Sequence, residues 1–145
     1  MKFFILILFL ANIFYNFSLK RKNIVSVKLE RKFLLIIFIF GLVILFMTYM
    51  FSSKSTLDFL LALSSIVLLF SIISSPGIRR DGFNIFMGST TLIKFAPFDK
   101  IKNIKIDSSH DDKIILSLHV FYNSYKLTFD SKYKNEIDIL IENFL

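Results

Sequence analysis

The chain has 145 residues, of which 54% are hydrophobic, and its net charge is +7. Soluble domains are usually about 45–50% apolar, so this composition favours a protein that lies partly in a membrane. The absence of cysteine excludes disulfides and thiolate metal sites. Residues 1–78 carry eight basic and two acidic side chains (+6), whereas residues 79–145 carry ten and nine (+1). Because the excess positive charge accompanies the apolar half, membrane topology explains it, and we expect no nucleic-acid partner.

Three apolar runs predict three transmembrane helices, at about 3–19, 33–51 and 57–75. The second and third runs have about the 20 residues that a helix needs to cross hydrocarbon, and only a short polar break separates them. They therefore predict a helical hairpin. The first run has two open interpretations, a cleaved signal peptide or a retained helix. Nothing after Ala11 resembles a small-residue cleavage site, so we favour the retained helix.

Basic residues flank these runs on one side and predict the orientation of the chain. The segment Lys20–Lys32 has six basic residues and one acid, Glu30, and a further basic pair follows the third run. Lys and Arg near membrane helices stay on the cytoplasmic side, so we expect the N-terminus outside and the C-terminal part inside the cell membrane. The middle of the segment is either a solvated loop or an interfacial stretch. The membrane-proximal basic residues are Lys20, Arg21, Lys22, Lys28, Arg31, Lys32, Arg79 and Arg80.

A few polar and small residues inside the apolar runs indicate how the helices pack. Asp58 is in the first turn of the third run, where we expect it to cap the helix; a proton-relay role is the alternative. Ser64 and Ser71 share one helical face, which Ser75 extends, and such faces pack against neighbouring helices. Gly41 is the only glycine of the second run and allows a close helix approach.

After Pro76 the hydrophobic period changes to two, which divides the chain into a membrane region, 1–76, and a small α+β domain, 77–145. The pattern predicts about five antiparallel strands, the clearest at 114–122, followed by a turn at Asn123-Ser124. The segment 131–145 predicts a helix capped by Asp130 or Ser131. Its apolar face consists of Tyr133, Ile137, Leu140, Ile141 and Phe144.

Residues 77–145 contain GIRRDGFNIF, then IKFAPFDKIKNIKI with its Phe98-Asp99-Lys100-Ile101 element, and a long strand before a terminal helix. In these features they resemble a bacterial PH-like domain. Small, largely uncharacterised bacterial membrane proteins carry such a domain after two or three helices. The resemblance implies antiparallel PH-like strands closed by a C-terminal helix and a cytoplasmic location for that domain. The richness in Ile, Lys, Asn and Phe also resembles the usage of an AT-rich bacterial genome.

No catalytic motif is present: the sequence lacks GxSxG, GxxxxGK[ST], HExxH and GxGxxG, so we expect neither an enzyme nor a cofactor. The run His110-Asp111-Asp112 is a weak metal candidate, because neighbouring residues rarely converge on one ion. His119 falls on the polar face of its strand. The sequence favours a small integral membrane protein presenting a cytoplasmic PH-like binding or regulatory module, with the lipid bilayer and either a protein partner or a second copy as contacts. The alternative is an immunity-type or accessory subunit that acts through its transmembrane helices.

Overall fold

The computed structural model describes residues 1–51, 55–88, 91–110 and 112–142, with backbone only for 107–110. Three of its helices, α1 (Lys2–Lys20), α2 (Arg31–Phe51) and α3 (Thr56–Ser74), are long and apolar enough to cross a membrane. The predicted spans are therefore confirmed to within two residues at each end. The polar break between α2 and α3 includes residues 52–54, which lie outside the described part.

The helix α3 packs against both α1 and α2. Ser64 and Ser71 are buried, as the shared serine face predicts, and Ser71 contacts α1. Gly41 is the one buried residue of α2, and Ile66 of α3 lies 3.4 Å from the position of a Cβ added there. The predicted close approach at this glycine is thus present, while most other α2 side chains are exposed.

The remaining chain forms two antiparallel sheets. The first contains β1 (Val25–Ser26), β2 (Gly77–Arg79), β3 (Gly82–Phe86) and β4 (Ile93–Pro97), in that order. The second contains β5 (Ile101–His110), β6 (Lys113–Val120) and β7 (Asn123–Asp130). The described part of residues 77–145 therefore forms six strands, β2–β7, rather than about five, and β1 adds a seventh from outside that segment. The helix α4 (Lys134–Glu142) follows a 3-10 turn over Ser131–Tyr133.

The strand β1 belongs to the segment between α1 and α2. From the sequence, the middle of this segment was expected to be a solvated loop or an interfacial stretch. Val25 pairs with Ile78 and Ser26 with Gly77, so this segment forms the edge of the first sheet. Val25 is fully buried in the core. At Gly77 an added Cβ would overlap Asn23 and the carbonyl of Val25, so the pairing requires glycine there.

The core lies between the two sheets and α4. It combines Val25, Ile78 and Phe83 with the inward side chains of β6 and β7 and with Ile137 and Ile141 of α4. The apolar face predicted for the last helix is confirmed for its described residues; Phe144 lies outside them. Asp130 accepts the backbone N–H of Lys132 and so begins the helical segment, one of the two caps expected.

Two local predictions are wrong. The turn after β6 is at Phe121 and Tyr122, which have positive φ values of 51° and 66°, not at Asn123-Ser124. A two-residue hairpin turn of this hand needs positive φ at both positions, which Asn and Gly normally supply, so Phe-Tyr gave no signal. In α3 the cap is Ser55, whose hydroxyl accepts the backbone N–H of Asp58. The Asp58 carboxylate instead binds Lys2.

Candidate functional site

The most connected polar region joins the sheets to the membrane helices and is built around Asn16. This side chain lies near the C-terminal end of α1 and is fully buried. Its amide nitrogen donates to the Ser71 hydroxyl and to the Thr91 carbonyl, each at 3.1 Å, and its oxygen accepts the backbone N–H of Ile93 at 3.2 Å. One amide therefore connects α1, α3 and the β3–β4 hairpin.

Three further asparagines extend this contact. The Asn84 amide, on β3, donates to the Leu19 carbonyl at 3.1 Å and to the Asn23 oxygen at 2.6 Å. Asn23 donates to the Ser75 carbonyl at 2.9 Å. The Ser75 carbonyl is at the end of α3, where carbonyls lack partners within the helix, so Asn23 supplies a missing donor there. The Leu19 carbonyl accepts the backbone N–H of Lys22 at 3.0 Å as well as the Asn84 amide. We call Asn12, Asn16, Asn23 and Asn84 the asparagine junction; Asn12 donates to the exposed Thr91 hydroxyl at 3.3 Å.

An apolar contact accompanies the asparagine junction. Ile93, the first residue of β4, is 1% exposed and clusters with Leu19 of α1 and with Leu68 and Ile72 of α3. Phe9 and Ile13 of α1 pack on the same cluster. The β3–β4 hairpin thus lies against the sides of two membrane helices rather than beyond their ends.

A second attachment is ionic and connects the start of α2 to the second sheet. Lys28 donates to the Asp112 carbonyl at 2.6 Å and lies 3.3 Å from its carboxylate. Lys113 binds Glu30 at 2.7 Å. We call these two pairs the ionic clamp. The hydrogen bond from Lys113 lowers the pKa of Glu30, and that from Lys28 lowers the pKa of Asp112, while Glu30 raises the pKa of Lys113.

At the opposite end of the helices Lys2 binds Asp58 at 2.6 Å. The Asp58 side chain is 8% exposed, and it lies beside a cavity of about 470 Å³ that Thr48 and Ser65 also line. The pair connects the first residues of α1 and α3. Asp58 therefore neutralises a lysine of the first helix, an arrangement that neither the capping nor the relay interpretation included.

The eight membrane-proximal basic residues are distributed over three environments. The ends of α1 and α2 carry Lys20, Arg21, Lys22, Arg31 and Lys32, all near the sheet side of the helices. Lys28 belongs to the ionic clamp. Arg79 makes a two-bond contact with Asp81 and lies 4.2 Å from the centre of the Phe95 ring, while Arg80 is exposed in the adjacent turn.

Sites for other chemistry are sparse among the described residues. No group of three His, Asp or Glu side chains there is close enough to hold a metal. Asp111 and the His110 side chain lie outside the description, so the His110-Asp111-Asp112 candidate is not tested by it. His119 lies on the outward face of β6, with its Nδ1 3.1 Å from the Ser124 hydroxyl. That face also carries Lys105 and borders a groove of about 510 Å³.

Comparisons with family models, with curated proteins and with solved structures find no match. The asparagine junction was not predicted from the sequence, although Asn12 and Asn16 lie towards the end of the first apolar run. An available signal was their position inside a membrane helix, since polar side chains there are usually paired. Their partners are 55 or more residues away in sequence, so no local pattern indicates them.

Proposed function

We propose that this chain is a small integral membrane protein that holds a PH-like module in a fixed position against the sides of its helices, near their cytoplasmic ends, and presents it to a protein partner. The strands β2–β4, the three-stranded sheet β5–β7 and a terminal helix follow one another along the chain, and β1 from between α1 and α2 completes the first sheet as its fourth strand. This order supports the PH-like assignment, which the motifs of residues 77–145 suggested. A module of this kind binds other molecules and performs no reaction.

The cytoplasmic assignment is supported by charge. The ends of α1, α2 and α3 nearest the sheets are the ends that carry the basic residues. Lys2 is the one basic side chain near the opposite end among the described residues. Positive charge beside membrane helices favours the cytoplasmic side.

The asparagine junction is the observation that carries the proposal. A domain tethered by a flexible linker would need no buried amide between its hairpin and two membrane helices. Here the side chain of Asn16 is fully buried, and it bonds to both α3 and the hairpin. Motion of the helices is therefore transmitted to the sheets, as a regulatory or presenting module requires.

The surface available to a partner is the outward face of the second sheet. Asn103 pairs with His119, and Lys105 with Ser117, on this face. Beside it Tyr122 is 89% exposed, and the Lys102 ammonium lies 5.3 Å from the centre of its ring. Exposed tyrosines are enriched in protein-binding surfaces, where they often dominate the binding energy.

The second candidate function is that of an accessory or immunity-type subunit acting through its helices. It is favoured by α2, where Gly41 is the one buried residue. Phe38 and Phe46 of this helix are 67% and 62% exposed. Such a helix has a large surface for another transmembrane segment or for lipid.

Affinity capture of the tagged full-length protein from native membranes separates the two functions. Under the first proposal, Tyr122→Ser together with Lys105→Glu abolishes recovery of the partner, and Phe38→Ala together with Phe46→Ala leaves it unchanged. The reverse pattern would establish the accessory function. A partner retained by both variants, or none recovered with the parent protein, contradicts the proposed partner surface.

A further inference from the structure

A cleft of about 510 Å³ opens where the helices meet the second sheet. Its helix side is formed by Phe33 of α2 and by Ile72 and Ile73 of α3. Its sheet side is formed by Phe86 at the end of β3 and by Leu127 of β7. This volume is within the range of small-molecule sites, about 300–1,000 Å³.

The lining of the cleft combines these apolar side chains with polar ones. Lys28, Glu30, Lys126 and Thr128 also line it, and we call these four residues its rim. Lys28 and Glu30 belong to the ionic clamp, which joins the second sheet to the start of α2. The cleft therefore offers an apolar wall together with a charged rim, a combination that fits an amphipathic ligand.

The level of the cleft in the membrane identifies that ligand. Phe33 is two residues from the start of α2, and Ile73 precedes the last residue of α3. Both are at helix ends, where hydrocarbon gives way to the headgroup layer. Phe33 is 51% exposed and Phe86 is 38% exposed, so the apolar wall faces outward at this level. The molecules present there carry acyl chains and phosphate groups.

We propose that the cleft binds one glycerophospholipid of the leaflet on the side of the sheets. One acyl chain lies against Phe33, Ile73 and Phe86, and the phosphate lies at the rim beside Lys126. The geometry that carries the assignment is the joining of an apolar wall and a lysine-bearing rim at the helix ends. The bound lipid then fills the space between α2, α3 and β7, and the position of the module depends on it.

Single tryptophans can report on this site, because the chain contains none. Phe86→Trp places the reporter in the cleft, and Phe33→Trp is a second reporter should the first variant fail to fold. Phe38→Trp, on the exposed face of α2, reports ordinary lipid contact. Phe95→Trp, beneath Arg79 and outside the cleft, reports non-specific quenching.

The full-length protein, purified in detergent, is titrated with a phosphatidylglycerol that has brominated acyl chains, which quench tryptophan on contact. We expect the cleft reporter to be quenched to a plateau at one lipid per chain, while Phe38→Trp is quenched gradually and Phe95→Trp is unaffected. Unbrominated phosphatidylglycerol should reverse the plateau. In the reporter background Lys126→Gln should raise the half-saturating lipid concentration up to about fivefold, and Lys134→Gln, on α4, should not.

If both cleft reporters are quenched at the same lipid concentrations as Phe38→Trp, the cleft makes only ordinary lipid contact. That result would overturn the proposal. Absence of quenching at both would do the same. An unchanged half-saturating concentration in Lys126→Gln would overturn the assignment of the phosphate to this rim. The tryptophan readouts involve neither Tyr122 nor Lys105, so their failure is distinct from failure of the proposed function. Lys126 pairs with Ser117 of the partner surface, so its variant tests only the position of the phosphate.

Discussion

The single side chain of Asn16 connects the membrane helices to the first sheet through several hydrogen bonds. An amide has two donors and an acceptor with two lone pairs, and three of these capacities are used across three elements. Hydrophobic contact between Ile93 and Leu68 would allow the hairpin to slide along the helices. The amide fixes its register, because each of its bonds is directional.

Asn16→Ala removes all three bonds and leaves the buried N–H of Ile93 without its partner. We expect the free energy of unfolding of the purified protein to fall by about 1–3 kcal/mol, the usual cost of an unsatisfied buried group. Asn12→Ala, which removes only an exposed bond, should change it by no more than about 0.5 kcal/mol. Denaturant titration followed by circular dichroism measures both values. Equal unfolding curves for Asn16→Ala and the parent would mean that the amide does not contribute to the stability of the fold.

The pairs of the ionic clamp predict a dependence on pH. The pKa values of Glu30 and Asp112 are lowered in the folded protein, so their contribution is present above the ordinary values of about 4.3 and 3.9 and is lost as the pH falls below them. The pKa of Lys113 is raised, so its contribution is lost only as the pH rises above about 10.4. The clamp is therefore complete between about pH 5 and pH 10.

The variant Glu30→Gln tests this window. At pH 7 it should melt below the parent protein by a small amount, since exposed pairs are partly screened by solvent. As the pH falls towards about 3, the difference between the two melting curves should shrink, because Glu30 loses its charge as the pH passes through its lowered pKa. Added salt at pH 7 should also reduce the difference. A difference that persists unchanged at pH 3 would show that Glu30 acts through packing instead of charge.

At the scale of elements, β1 connects the two regions that the sequence divides at residue 77. Without β1 the edge of β2 is unpaired, and Ile78 loses its cross-strand neighbour Val25. Val27 donates its N–H to the Pro76 carbonyl at 3.2 Å. The segment that precedes α2 therefore lies next to the segment that follows α3. A short Gly/Ser linker can therefore replace that hairpin without separating the strands.

We expect the linked protein, residues 20–28 joined to 76–145, to be soluble and to unfold cooperatively with mixed α and β circular dichroism. The fragment 77–145 alone should be less stable by about 1.5–3 kcal/mol, since burial of Val25 is lost. Val25→Asp in the linked protein should remove its additional stability over the fragment. Identical stability of fragment and linked protein would mean that β1 adds nothing to the core.

The sequence predicted those elements whose signal is local. The apolar runs predicted the three helices. Alternation of apolar and polar residues predicted β6, in which Ile114, Leu116 and Leu118 face the core. Two-residue β1 has no such signal, because its pairing partner follows two intervening helices. The asparagine junction was missed for the same reason. The Phe121–Tyr122 turn was missed because neither residue type normally adopts positive φ; Phe121 packs against the core, whereas Tyr122 is exposed.

At the scale of the whole molecule, the N-terminus, the last residue of α2 and the first residue of α3 lie on the side opposite the sheets. With basic residues at the sheet end, we expect a cytoplasmic module. Ser53→Cys should therefore react with an impermeant thiol reagent on intact cells, and Tyr122→Cys should react only after lysis. The chain has no other cysteine to confuse the result. Labelling of Tyr122→Cys on intact cells would reverse the orientation.

The docking of the hairpin on α1 is the feature on which the account depends, and it can be measured directly in native membranes. The amide of Asn12 and the hydroxyl of Thr91 are 3.3 Å apart, so cysteines at both positions should be joined by a short bifunctional thiol reagent. A matched pair with cysteines at positions 12 and 139, the latter on the exposed face of α4, should remain unjoined. Efficient joining of 12 to 91 alone is the predicted result. Failure of that pair to join, or equal joining of both pairs, would contradict a module docked on the membrane helices.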